Sequence, residues 1–233
     1  LIADTGNKSI EALGVDLSDF GAIRGFVEVF LKGHDQLHVL VNNAATYQTS
    51  RRVNADGFEL TWATNVLGPY LLTDLLLDVM GQTGDHRWHA RVVNICSQLD
   101  GGLQSKDTQF ESTKYDGLKA YKASKQALRM LTWELDDRLP GTGIVANACF
   151  PGRVDTELGR LGSGGLGSLF KRRRGVRPVA VGADTPIWLA SDPEVEGISG
   201  GLFFERQELS CDYRNLGACA ALGAFCAEQL GLE

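Results

Sequence analysis

"AYKASKQALRMLTWELDDRL" at residues 120–139, followed closely by "GIVANACF" at 143–150, decides the fold. The first stretch holds neither proline nor glycine, and its apolar residues recur at intervals of three and four, the spacing of an amphipathic helix. The second is a short apolar run closed by Pro151-Gly152, which reads as a buried strand. Outward from this pair the same alternation recurs. "IEALGVDL" (10–17), "LHVLVNNA" (38–45) and "ARVVNIC" (90–96) read as strands. "SDFGAIRGFVEVFLKG" and "DGFELTWATNVLGPYLLTDLLLDVM" read as helices between them, with Ser18 and Asp56 as their N-caps. Downstream, "ADTPIWLAS" and "YRNLGACAALGAFCAEQLG" read as helices on either side of a last short strand, "GLFFE". Strands alternating with helices predict an α/β protein: a mostly parallel sheet, right-handed crossovers, and helices on both faces.

A chain of 233 residues without a linker or internal repeat is one domain, 1–233, large enough to bury a core. Its formal charge of −6 argues against nucleic acid as a partner. The basic run "KRRR" at 171–174 is either a solvated loop or a contact for an anionic ligand or surface. Five cysteines at 96, 149, 211, 219 and 226 form no C-x-x-C pair, which predicts a reducing, cytoplasmic setting. "HRWH" at 86–89 reads as a surface loop, since no further Cys or His cluster completes a metal site. No stretch approaches the roughly twenty apolar residues of a membrane span. Any targeting or anchor segment would lie upstream of Leu1.

In parallel sheets ligands bind beyond the carboxyl ends of the strands. Those ends are Asp16-Leu17, Asn42-Asn43-Ala44, Cys96-Ser97 and Pro151-Gly152. Near them the sequence holds Tyr-x-x-x-Lys twice, as Tyr115 with Lys119 and as Tyr121 with Lys125. Asp116-Gly117 is a turn signal, so the first pair straddles a helix boundary. The second lies inside the long helix, where residues i and i+4 share a face. A neighbouring ammonium favours a phenolate and moves its pKa toward the range of a general base.

Six segments in order, "DLSD" (16–19), "VLVNNA" (39–44), "TNVLGPYLLT" (64–73), "RVVNICS" (91–97), "YKASK" (121–125) and "PGRVDTEL" (151–158), resemble the short-chain dehydrogenase/reductase family, in particular its retinol-dehydrogenase-like branch. The likeness runs on to "WLASDPEVEGISGGLFFE". It implies a Rossmann-like doubly wound sheet and NAD(P)(H)-dependent interconversion of an alcohol and a carbonyl on an apolar small molecule, with NADP(H) favoured over NAD(H). On this resemblance Tyr121 is the general acid/base, Lys125 lowers its pKa and bonds the nicotinamide ribose, Ser97 holds the substrate oxygen, and Asn65 supports a water relay. Asp16 and Leu17 match the adenine contact, Asn43 and Ala44 the cofactor-side turn, and Pro151, Gly152, Val154 and Thr156 the nicotinamide contacts. Asn42 is expected to tie strands together. Pro69, four residues after Asn65, has no N–H to return to the Asn65 carbonyl, which leaves an acceptor for the relay water.

The sequence departs from the family in four places. Ala45 replaces a glycine, Cys96 stands where a first serine is common, and Ser97 and Tyr121 are 24 residues apart across "LDGGLQSKDTQFESTKYDGLKA", an insertion expected at the substrate mouth. The fourth concerns the family's first strand–turn–helix, whose glycine-rich loop receives the pyrophosphate and which should precede residue 1. The Gly162, Gly164, Gly167 pattern has neither the strand before it nor the helix after it that such a loop needs. The chain therefore reads as an N-terminally truncated member whose first two strands are missing. A different class remains open: a catalytically silent nucleotide-sensing or interaction protein on the same fold, or an inactive fragment.

Overall fold

The computed structural model describes residues 2–84, 87–154 and 176–232. In chain order its elements are α1 (Ile2–Thr5), α2 (Phe20–Gly33), β1 (Val39–Asn42), α3 (Leu60–Trp62), a π-helical turn (Ala63–Leu67), α4 (Gly68–Thr83), β2 (Ala90–Ile95) and α5 (Gly117–Arg138). They continue with β3 (Ile144–Cys149), α6 (Val179–Ser191), a 3₁₀ turn (Pro193–Val195), β4 (Leu202–Phe204), β5 (Gln207–Glu208) and α7 (Leu216–Leu230). The sheet runs β1-β2-β3-β4-β5, parallel through β4, with β5 antiparallel at the edge. Its spine is the β2–β3 ladder, where all six residues of each strand are buried.

That double burial follows from a period of two. Val92 and Ala90 of β2, with Ile144 and Ala146 of β3, face Met80 of α4 and Leu135 of α5. Val93, Ile95 and Cys149 face the other way, onto Trp188 and Leu189 of α6. Each such fully buried aliphatic side chain contributes roughly 1.5–3 kcal/mol. Small residues of α7 let it pack closely on α5, and a Cβ added at Gly223 would lie 2.6 Å from Glu134. Among the described residues no helix is long and apolar enough to cross a membrane.

Three expectations need correction. Residues 10–17 form no strand. A strand needs a ladder partner, and β1 is paired only with β2 among the described residues; Val15 and Leu17 pack instead against the core as irregular chain. The cap of α2 is Asp19, whose carboxylate accepts the Ala22 N–H, while Ser18 is engaged by Asp16. Asp56 caps nothing. It sits in a turn closed by Asn54, whose Oδ1 accepts the N–H groups of Asp56 and Phe58, and Glu59 caps α3 by accepting from Thr61 and Trp62.

Candidate active site

Helix α5 delivers the central pair. Asp116 is its N-cap, accepting the N–H groups of Leu118 and Lys119, so Tyr115 lies outside the helix. Tyr115 turns to Glu59, donating to Oε1 at 2.9 Å, while Lys119 is exposed. Those two residues do not form a pair. Tyr121 and Lys125 share one face, and both are buried. The Lys125 ammonium lies 5.9 Å from the Tyr121 ring centroid and donates to the Ile95 carbonyl at 2.8 Å.

Burial dominates the electrostatics of both groups. It raises the Tyr121 pKa above the ordinary phenol value, opposed by a hydrogen bond from Ser97, and Lys125 is not among the groups that move it. Burial also lowers the Lys125 pKa. Desolvation, rather than the expected depression by Lys125, sets the direction for Tyr121. At neutral pH the phenol carries its proton, the form that protonates an oxygen in carbonyl reduction.

Ser97 follows β2 directly. Its Oγ accepts the Leu99 N–H at 3.0 Å. A hydroxyl has one donor and two acceptor sites, so this bond uses an acceptor site and not the hydroxyl proton. Asn65 sits in the π-helical turn, a feature that often marks functional sites. Its side chain is fully buried and committed: Oδ1 accepts the Thr46 N–H at 2.7 Å, and Nδ2 donates to the Thr46 carbonyl and to Ser124 Oγ. Asn65 therefore clamps the turn after β1 onto α5.

Asn43 and Ala44 are exposed at the carboxyl end of β1. Asn42 does tie strands, donating to Asn94 of β2 at 2.8 Å and to Thr73 of α4 at 2.9 Å. Pro151 and Gly152 follow β3, and Gly152 takes a φ of +75° beside Phe204, a backbone that favours glycine. Val154 forms a bridge with Arg177. A cleft of about 410 Å³ opens beside Pro151, lined by Phe150, Phe204, Arg177, Gly182 and Thr185. A larger one, about 680 Å³, lies at the opposite end of the strands and includes none of the site residues.

Asp16 and Leu17 are placed differently from the other rim residues. The Asp16 carboxylate accepts the backbone N–H and hydroxyl of Ser18, bonds that hold its pKa below the usual carboxylate value. The Leu17 carbonyl lies 2.2 Å from where a Cβ at Gly68 would stand. No strand carries them to the site. Thr156, the "KRRR" run and the Gly162, Gly164, Gly167 pattern lie outside the described residues. Reasoning from sequence missed Thr46, Ser124 and Glu59. Ser124 could have been flagged inside "YKASK", but Thr46 and Glu59 carry no local signal.

The family model for the short chain dehydrogenases matches residues 1–162. The chain belongs to that family. Mouse retinol dehydrogenase 12 is 35% identical over 237 residues, an alignment covering 99% of this chain and 73% of the relative. Across the curated relatives the chain spans 46% to 73% of their length. Among solved structures, an uncharacterised protein from Mycobacterium paratuberculosis superposes with a TM-score of 0.76 at 26% identity, covering 99% of this chain and 79% of its own. A blue fluorescent protein from a metagenomic library, solved with NADPH, gives 0.60 at 26% identity, covering 81% and 71%.

The side chains fit the nicotinamide half of such a cofactor. The Lys125 ammonium carries three donors, and its one hydrogen bond to a described residue goes to Ile95. A buried cation with donors to spare suits the hydroxyls of a ribose.

Proposed function

We propose that this short chain dehydrogenase is an NAD(P)(H)-dependent oxidoreductase that interconverts an alcohol and a carbonyl on an apolar small molecule. The observation that carries the reading is the buried Tyr121–Lys125 pair on one face of α5, with the Lys125 ammonium bonded at the end of the strand that leads to Ser97. When bound, the nicotinamide supplies or accepts the hydride. Tyr121 gives its phenolic proton to the substrate oxygen in reduction and removes it in oxidation. Ser97 donates a hydrogen bond to the same oxygen and holds it against Tyr121, keeping its own proton. Lys125 offers its remaining donors to the ribose, and Asn65 fixes the turn at Thr46 that borders the cofactor side. Val154, Pro151, Gly152 and Thr156 are assigned to the nicotinamide, with Asn43 and Ala44 beside it. Asp16 and Leu17 remain candidates for the adenine end.

NADP(H) is favoured over NAD(H). The NADPH-bound neighbour supports that choice, and the retinol-dehydrogenase relative supports an apolar substrate. The deciding measurement is oxidation of NADPH or NADH by the purified chain with a series of aliphatic and polyene aldehydes. NADPH-dependent turnover that rises with chain length and vanishes in Tyr121→Phe is expected. Cofactor binding without turnover would favour a nucleotide-sensing protein instead.

A further inference from the structure

Arg129 lies one turn beyond Lys125 on α5 and is only 6% exposed. Its Nη2 donates to the main-chain carbonyl of Ser97 at 2.8 Å. Its Nη1 forms an ion pair with Asp100, a charge contact rather than an aligned hydrogen bond, and donates to Cys211 Sγ at 3.6 Å. The guanidinium lies 5.8 Å from the Phe150 ring centroid, and Phe150 directly precedes Pro151. One side chain thus joins the segments that leave β2 and β3, the two strands whose ends carry Ser97 and Pro151-Gly152.

The segment it holds contains two adjacent glycines. Gly101 and Gly102 take φ of +106° and +77°, a backbone that favours glycine. A second brace comes from α5 at the far end, where Gln126 Oε1 accepts the Leu103 N–H at 2.9 Å. Between the two braces the Leu99 N–H bonds Ser97 Oγ. If the Ser97 carbonyl is free to rotate, that bond and the direction of the hydroxyl proton go with it.

We propose that Arg129 is a positioning residue that fixes Ser97 for hydrogen bonding to the substrate oxygen. This rests on the oxidoreductase reading above. A planar fork reaches Ser97 and Asp100 together, and nothing of smaller size on α5 could span both. Losing it leaves the serine present but misplaced, and a misplacement of about 1 Å costs up to roughly 100-fold in rate.

The test uses the 233-residue chain. Arg129→Ala alone strands a buried carboxylate, so it is paired with the double variant Arg129→Met/Asp100→Asn, which removes both charges. Amide exchange across 97–103 should accelerate about 10-fold or more in the double variant, while the β3 amides keep wild-type protection. Turnover of the aldehyde series should fall about 10- to 100-fold in kcat, with KM for NADPH within about two-fold. Added guanidinium should restore part of the Arg129→Ala loss, and methylammonium should not. Unchanged exchange at 97–103, or a loss confined to KM, overturns the proposal. Ser97→Ala separates the two readings. If it turns over like the wild type, Ser97 is dispensable and the Arg129 proposal fails while the oxidoreductase reading stands. If the wild type does not turn over, the oxidoreductase reading fails, and exchange still decides whether Arg129 holds the segment.

Discussion

Replacing Glu196 by glutamine should cost stability in a pH-dependent way. Glu196 follows the 3₁₀ turn after α6 and grips the start of β2. Its carboxylate accepts the His89 N–H and contacts the His89 ring, both at 2.7 Å, and accepts from Arg91 at 2.8 Å. Burial by itself would raise its pKa, but the bonds from His89 and Arg91 override it and bring the group from 4.5 down to about 2. A depression of that size corresponds to about 3 kcal/mol of folding stability at neutral pH. The side chain is 24% exposed, and solvent screening trims the figure to about 2 kcal/mol. Because the folded pKa lies below the unfolded one, this stability is present above pH 4.5 and is lost as pH falls toward 2. Glutamine keeps the size and one acceptor for the His89 N–H, removes the charge, and turns an NH₂ group toward Arg91 in place of the second acceptor. Urea unfolding of wild type and Glu196→Gln should differ by roughly 0.7–1 M in midpoint at pH 7. The gap should shrink through pH 4 and close near pH 2. A gap that stays constant from pH 7 to pH 3 would refute the electrostatic origin, since loss of packing alone does not titrate.

Tyr121→Phe should lower kcat by about 10²–10⁴-fold, whereas Tyr115→Phe should spare turnover and lose about 1–2 kcal/mol of stability by removing a donor from buried Glu59; steady-state kinetics and thermal melts of the two variants check this. Pro69→Ala returns an N–H toward the Asn65 carbonyl and should reduce turnover and alter its pH profile, and an unchanged profile would remove Pro69 from the relay. Gly182→Ala places a Cβ 2.2 Å from Val154 Cγ2, on a β-branched side chain with few rotamers. It should raise KM for NADPH more than it lowers kcat, as titration of initial rates against cofactor would show.

Much of the site was legible because its residues sit where local rules place them. Tyr121 and Lys125 are one turn apart on a helix long enough to be recognised by its period, and the Asp116-Gly117 signal that set Tyr115 aside is the N-cap of that helix. Asn43, Ser97 and Pro151 could be found because an apolar run ending in polar or turn residues marks the end of a parallel strand. The same rule failed for Asp16 and Leu17. Their run "IEALGVDL" has a strand's composition, but a strand forms only against a neighbour, and none lies beside it among the described residues. The direction of the Tyr121 pKa follows burial, and an adjacent lysine is visible in sequence while the depth of burial is not.

By itself, then, the sequence determined the alternation of helices and strands, the sheet faces that would be buried, and the choice of Tyr121 with Lys125, because each depends on spacings of two to four residues. Only the tertiary structure decided that Asn65 spends its side chain on Thr46 and that Glu59 caps α3 while receiving Tyr115. It also decided that Arg129 reaches back to Ser97. Those contacts join residues from different elements, brought together by packing against the sheet, and no local pattern encodes which buried polar groups will meet.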